Sequence, residues 1–305
     1  MSELDYADIE AAATRVAGRV RRTPVIAAGP GVYYSLEFMQ HTGSFKARGA
    51  QNFIRAHRER GTLPDAGITI ASGGNAGLAN AWAAQAEGVC ATVFLPATAP
   101  SVKVERLRSY GADVRLVGTQ YADALAACEE FTAHTGALAS HAYDDPYVAA
   151  GAGTLLLELR EAIPGLDTLV VAVGGGGLFS GISTAARHFG IRTVAVEPET
   201  CRALNAALEA GQLVDVAVDS VAVDSLGARR ASEMALRSAG HDDVSSLLVS
   251  DAEIVQAREG LWADHRLAVE HAAATALAGL NHYNASAEET VCVVLCGANT
   301  DPATL

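Results

Sequence analysis

Of the 22 basic residues in the chain, two are lysines, Lys46 and Lys103, and the other 20 are arginines. A codon bias toward arginine accounts for the ratio. Under such a bias, a lysine that persists marks chemistry a guanidinium cannot do. An ε-amine can lose its proton and form a Schiff base, whereas a guanidinium stays charged. Lys46 lies in His41-Thr42-Gly43-Ser44-Phe45-Lys46-Ala47-Arg48-Gly49, beside an aromatic residue and at the expected start of a helix. The field of a helix N-terminus disfavours an ammonium and lowers its pKa. An ordinary surface lysine in a turn is the competing reading. Lys103, in Lys103-Val104-Glu105-Arg106, is explained by a solvated helix face.

Two further segments can hold anions. Val173-Gly174-Gly175-Gly176-Gly177-Leu178 places four glycines between a buried strand and a helix. Backbone N–H groups converge in such a turn, and only glycine lets the backbone approach an anion so closely. A dinucleotide fingerprint is tempting because Glu197 ends the next strand. It fails on spacing: the third glycine would fall at Phe179 or Ser180. The segment reads as a monophosphate cup. The second cup, Ala71-Ser72-Gly73-Gly74-Asn75-Ala76-Gly77, adds a hydroxyl and an amide and suits a carboxylate; a capped helix after a glycine turn is the plainer alternative. Cys296-Gly297-Ala298-Asn299 follows the buried strand Val291–Leu295 and sets a thiol at the strand's carboxyl end, where α/β sheets bind ligands.

These segments must be positioned by alternating strands and helices. Helices are expected over about 6–19, 46–59, 75–87, 101–110, 121–135, 146–163 and 177–188. Strands are expected over about 32–37, 67–71, 91–95, 113–117, 168–173, 192–197 and 290–295. A capping box at Ser250-Asp251-Ala252-Glu253 opens a helix in the helix-rich last third. Repeated βα units with β-branched apolar strands predict an α/β fold of mostly parallel sheets flanked by helices.

Composition narrows the class. With 305 residues, 50% hydrophobic and 19% charged, the chain is neither disordered nor fibrous, and two lobes are expected. A net charge of −13 argues against nucleic acid and anionic membrane surfaces. The acidic start, Met1-Ser2-Glu3-Leu4-Asp5, lacks the pattern of a signal peptide, and no long uncharged apolar run exists, so a cytoplasmic location is expected. The scattered cysteines at 90, 128, 201, 292 and 296 read as buried reduced thiols, not as a zinc site.

A lysine for an imine, a cup for a phosphate and a cup for a carboxylate together fit pyridoxal phosphate holding an amino acid. From Thr23-Pro24 to Asn299 the chain resembles the fold-type II pyridoxal-phosphate-dependent serine/threonine dehydratase family. The resemblance implies a two-lobed fold. The small lobe would run over 47–143, inserted into a large cofactor-binding lobe made of 1–46 and 144–305. It implies that Lys46 forms the Schiff base and that Phe45 stacks on the cofactor ring. It implies that Asn75 meets the ring hydroxyl, while Ser72, Gly73, Asn75 and Ala76 grip the substrate carboxylate. Gly174, Gly175, Gly176, Gly177 and Leu178 would hold the phosphate, and Cys296 would meet the pyridine nitrogen. Asp224-Ser225-Leu226-Gly227-Ala228 would lie against the ring's other face. The chain departs from the family at Ser35-Leu36-Glu37, at Ala76 where a histidine is common, and at Glu270-His271-Ala272-Ala273-Ala274 where Glu-Pro-Ser-Gly-Ala is common. His271 is read as a helix residue or as a contact on the substrate side.

The implied reaction is β-elimination. The neutral Lys46 amine takes the α-proton, the β-hydroxyl leaves as water, and the product hydrolyses to a 2-oxo acid and ammonia. L-Threonine and L-serine are the expected substrates of a homo-oligomer, expected as a homodimer. Two rivals share the fold. A racemase would carry a serine at the position of Gly73 as acid on the far face. A threo-3-hydroxyaspartate dehydratase would need a cation for the second carboxylate, with Arg48 as candidate. A non-catalytic nucleotide-binding protein would need the phosphate cup but not Lys46. Glu197 matches a cation ligand of relatives, but the acidic partner six residues on is Ala203, which favours a monovalent cation such as potassium, or none, over a divalent ion. The chain ends soon after Asn299, so simple saturation without end-product inhibition is expected.

Overall fold

The computed structural model describes residues 4–304. Met1, Ser2, Glu3 and Leu305, at the ends of the expected large lobe, lie outside the described residues. Ten strands form two sheets. They are β1 (Val25–Gly29), β2 (Val32–Ser35), β3 (Ile68–Ala71), β4 (Ala91–Leu95), β5 (Asp113–Leu116), β6 (Leu138–Ala139), β7 (Thr168–Ala172), β8 (Arg192–Pro198), β9 (Val244–Val249) and β10 (Val291–Val294). The larger sheet has the order β1-β2-β10-β7-β8-β9 and the smaller β5-β4-β3-β6. Every pairing is parallel except the β1–β2 hairpin at the edge. The fold is the expected α/β type, with helices against mostly parallel sheets.

The chain threads the smaller sheet between β2 and β7 of the larger one. The helices of its first half are α1 (Tyr6–Val16), α2 (Lys46–Glu59), α3 (Asn75–Glu87), α4 (Ser101–Ser109), α5 (Tyr121–Thr135) and α6 (Pro146–Ala162). Those of its second half are α7 (Gly177–His188), α8 (Ala203–Ala210), α9 (Val223–Leu226), α10 (Glu233–Ala239), α11 (Asp251–His265) and α12 (His271–Leu280). Their starts follow capping chemistry. Asp5 Oδ1 accepts from the Asp8 amide at 3.0 Å, and Asp145 Oδ1 accepts from Tyr147 and Val148 ahead of Pro146. The box at Ser250 forms as expected, with the Ser250 amide donating to Glu253 Oε2 at 2.8 Å.

Each sheet carries its own core. β7 and β10 are buried at every residue and pack with Leu155, Leu156, Ile182 and the alanines of α12. The second core gathers Phe53, Ile54, Ile68, Ile70, Val93, Leu95 and Leu107 around the smaller sheet, and Val148 of α6 joins it. Three strands were not anticipated: β1, β6 and β9. Val25–Gly29 and Val244–Val249 are half-exposed edge strands, and Leu138–Ala139 is two residues long. Such strands lack the continuous apolar run that marks a buried one.

Candidate active site

Segments that follow β3 and β10 line a cleft of about 660 Å³, with Gly73 and Asn75 after the first and Asn299 and Thr300 after the second. Gly73, Asn75, Lys103 and Arg106 line it from the smaller sheet's side, and Ser225, Glu270 and His271 line it from the other.

Lys46 is placed by a zipper between the loop ahead of α2 and the end of β10. The Phe45 amide donates to the Cys296 carbonyl at 3.0 Å, the Ala298 amide to Gly43 at 2.9 Å, and Ser44 bridges Gly297. The turn that allows this has Thr42 at φ 62° and Gly43 at φ 78°. For a β-branched threonine that backbone costs about 1–2 kcal/mol. Lys46 Nζ donates to the Ala142 carbonyl at 2.6 Å and stands 4.8 Å from the Phe45 ring centroid. Burial lowers its pKa to about 8, against the opposing pull of Cys296 and Glu270. Desolvation, more than the helix field invoked from the sequence, is the leading cause. The Cys296 thiol is buried, and burial pushes its pKa far up, so the group stays neutral.

The four glycines form the turn from β7 into α7, with Gly176 at φ 100° as the residue ahead of the helix. A side chain at Gly175 would run into the Tyr143 ring, and one at Gly177 would come within 2.8 Å of the Tyr143 carbonyl. The amides of Gly174, Gly175 and Gly176 donate no hydrogen bond to the described residues. They are orphan donors grouped at a helix N-terminus. Leu178 is buried in the first turn of α7. The loop at 224–227 packs over this turn, with the Ser225 carbonyl 3.3 Å from where a Cβ of Gly174 would stand.

The second cup follows β3. Ser72 Oγ accepts from the Gly74 amide at 3.4 Å, and α3 begins at Asn75 with Ala76 buried behind it. A Cβ at Gly73 would come within 2.5 Å of Leu95 Cδ2. Asn75 is held from both ends. Its Nδ2 donates to Glu270 at 2.9 and 3.2 Å, and its Oδ1 accepts from Asn299 Nδ2 at 2.7 Å. Asn299 also donates to the Thr42 carbonyl at 2.8 Å and accepts from Arg106 Nη1 at 2.7 Å. Burial raises the Glu270 pKa, while hydrogen bonds from Asn75 and Ser225 and the nearby Lys46 oppose the rise.

Glu270, Asn299 and Arg106 thus join the cleft, although the sequence alone assigns them no role. Glu270 stands where the family also has a glutamate, and Asn299 ends the Cys296 segment. Nothing local marks Arg106, which meets Thr42 across 64 residues, and Asn299 meets Asn75 across 224. His271 opens α12, half-buried, and lines the cleft; burial lowers its pKa. Lys103 lines the cleft too, where a purely solvated face was expected.

Two expectations are corrected or recast. Arg48 does not reach the cleft: it is fully buried and bonded to Glu37 at 2.7 Å, Glu158 at 2.7 and 2.9 Å, and Thr23 at 2.8 Å. It cannot serve a second substrate carboxylate. Glu197 is buried at the end of β8, and its two oxygens accept from the Leu204 and Asn205 amides at 2.8 and 2.7 Å, capping α8. Burial pushes its pKa up to about 7 against those bonds. Among the described residues no group of three His, Cys, Asp or Glu could hold a metal ion.

A depressed amine, a row of unpaired loop amides and a neutral buried thiol converge here, and the family model for pyridoxal-phosphate dependent enzymes matches residues 16–297. The chain belongs to the pyridoxal-phosphate dependent enzymes. It is 35% identical to the L-threonine ammonia-lyase of Geobacter sulfurreducens, over 99% of this chain and 77% of the relative. Among solved structures it is similar to a pyridoxal 5'-phosphate-dependent aspartate racemase, with a TM-score of 0.89 and 30% identity over 100% of this chain and 98% of the other. It is also similar to maize serine racemase, with a TM-score of 0.90 and 29% identity over 99% and 96%. The fold is that of the fold-type II enzymes. The residues present fit the cofactor: the glycine turn offers backbone donors without partners among the described residues for a phosphate, and Lys46 is a buried amine of lowered pKa beside Cys296 and Glu270. Among the described residues no helix is long and apolar enough to cross a membrane.

Proposed function

We propose that this pyridoxal-phosphate dependent enzyme eliminates the β-hydroxyl of a β-hydroxy amino acid, L-threonine or L-serine, as water. Water then adds back in hydrolysis of the unsaturated amine, so that the net products are a 2-oxo acid and ammonia. The observation that carries the reading is the pairing of a Lys46 amine near neutrality with a neutral Cys296 thiol at the adjoining strand end. Bound pyridoxal phosphate supplies the electron sink for charge developing at the α-carbon. Lys46 Nζ takes the α-proton, a role that needs a pKa close to working pH. Cys296 would meet the ring nitrogen as a neutral thiol and supply no strong charge there, which would favour prompt loss of the β-hydroxyl over transamination. The Gly174–Gly177 amides and Leu178 would hold the phosphate. Ser72, Gly73, Asn75 and Ala76 would hold the substrate carboxylate, and Phe45 would flank the ring.

The printed name of the Geobacter sulfurreducens relative supports the substrate class. The racemase neighbours make racemisation the alternative. It needs an acid on the far face, and Gly73 offers no hydroxyl, with Leu95 filling the direction a side chain would take. The small lobe is taken as 47–143, inserted between 1–46 and 144–305, and this division follows the two sheets. The enzyme is taken to work as a homodimer in the cytoplasm, where its five unpaired thiols suit a reducing compartment. Any cation activation is expected from potassium, since Glu197 offers only oxygens already engaged as a helix cap. The test is release of 2-oxo acid from L-threonine, L-serine and threo-3-hydroxyaspartate by the purified holoenzyme, with D-isomers followed in parallel. Turnover of the hydroxyaspartate alone would overturn the substrate assignment, and accumulation of a D-isomer without 2-oxo acid would overturn the reaction.

A further inference from the structure

Behind the cleft wall, Arg258 of α11 is 5% exposed. Its guanidinium makes four hydrogen bonds. Nε donates to the Val269 carbonyl at 2.9 Å and Nη1 to the Thr304 carbonyl at 3.0 Å. Nη2 donates to Thr300 Oγ1 at 2.9 Å and Thr304 Oγ1 at 3.0 Å. Among the described residues all four acceptors are uncharged. A buried cation held in this way is a poor means of stabilising a fold, because an apolar side chain of similar volume would avoid the desolvation cost. The geometry it imposes is what an apolar residue could not supply. Val269 immediately precedes Glu270, and Thr300 immediately follows Asn299. Glu270 and Asn299 are the two residues whose side chains clamp Asn75.

We propose that Arg258 is a positioning residue of this site, fixing from one rigid fork the two backbone segments that carry Glu270 and Asn299 and thereby the orientation of Asn75. The planar guanidinium suits this role because its donors point along fixed, divergent directions, which a lysine ammonium cannot reproduce. The same helix anchors a second segment of the cleft wall. Asp251, at its first turn, accepts from Ser220 Oγ at 2.5 Å and the Val221 amide at 3.1 Å, and Val221 lines the cleft. α11 thus holds two segments of the cleft wall, and Arg258 is its contact with the Asn75 clamp. The inference rests on the reading that Asn75 faces cofactor and substrate.

The test uses holoenzyme carrying Arg258→Met, Arg258→Lys or Thr300→Val. Hydrogen–deuterium exchange is followed in peptides spanning 267–275 and 296–304, beside KM, kcat and the melting midpoint. Arg258→Met should speed exchange in both peptides about tenfold and raise KM by roughly tenfold or more, with a smaller change in kcat. Thr300→Val should do the same to the second peptide alone, and Arg258→Lys should recover only part of the loss. Unchanged exchange and KM in a folded Arg258→Met enzyme overturn the proposal. So does a lowered melting midpoint with KM intact, which would make the residue merely structural. If Arg258→Met fails to fold, Thr300→Val decides by the same readouts. If the wild-type enzyme releases no 2-oxo acid while the exchange pattern changes as stated, the functional reading fails and the positioning role stands.

Discussion

Lys46 and Arg48 stand two residues apart on α2, are both basic, and meet opposite fates. Positions i and i+2 of a helix do not share a face. Lys46 therefore turns toward the Ala142 carbonyl, and among the described residues its amine meets no carboxylate within bonding distance. Arg48 turns inward between Glu37 and Glu158. Burial works against the charge at both. At Lys46 it wins and lowers the pKa to about 8; at Arg48 two carboxylates and their hydrogen bonds overcome it and hold the charge. A buried cation with partners is architecture, and one without them is a base. The helix needs both, and each position carries the residue type its role demands, since only lysine can surrender its proton.

The largest effect expected from this contrast is on catalysis. Lys46→Ala should lower kcat by about 10³-fold or more and should remove the visible absorbance of the bound cofactor. Borohydride reduction of the wild-type enzyme followed by peptide mapping should place the label on the Lys46 peptide; a label on Lys103 would break the assignment.

Arg48→Met should act in the opposite sense. It strands Glu37 and Glu158 in the interior, and loss of one partner of a buried ion pair costs about 3–5 kcal/mol. Denaturant titration measures this. A stable variant with altered selectivity toward acidic substrates would show that Arg48 reaches the cleft after all.

The pH dependence sharpens the comparison further. In the cofactor-free protein Lys46 has a folded pKa of about 8 against its ordinary 10.5. The unfolded chain then binds the extra proton between those values, so stability should rise with pH across that window, by up to about 3 kcal/mol. Melting curves of wild type and Lys46→Met should converge at the alkaline end and diverge near pH 7. Parallel curves would mean the amine is not desolvated.

Gly175→Ala tests the cup independently of the base. The new methyl would meet Tyr143. Overpacking of this kind costs about 1–3 kcal/mol, so cofactor affinity should fall by roughly tenfold or more in equilibrium dialysis, with kcat at saturating cofactor less affected. The smallest effect is expected for Cys296→Ser, which exchanges one neutral group for another. The activation barrier should move by about 1 kcal/mol or less, roughly fivefold in kcat. Cys296→Asp, which adds a charge beside the ring, should do far more.

Much of this was legible in the chain because the informative features are local. The starts of α2 at Lys46, α3 at Asn75 and α7 at Gly177 are each marked by glycine just ahead of the helix, with no side-chain cap at any of the three. The strands β4 and β7 are short runs of apolar and β-branched residues buried throughout, and β8 is buried apart from Arg192 at its exposed start. The edge strands β1 and β9 were not legible, since a half-exposed edge carries no distinctive run.

The sequence by itself marked most of the buried strands, two glycine turns that open helices and a lysine whose amine can lose its proton, because each depends on residue type and spacing within a few positions. The tertiary structure alone decided which charges were free to act. Arg48, a candidate for the substrate side, is consumed by Glu158 across 110 residues. Asn75 is aimed by Glu270 and Asn299 across 195 and 224. Glu197 is spent on a helix cap. Burial and hydrogen-bond partnership are properties of neighbours in space, and no local pattern in the chain encodes which distant group will arrive.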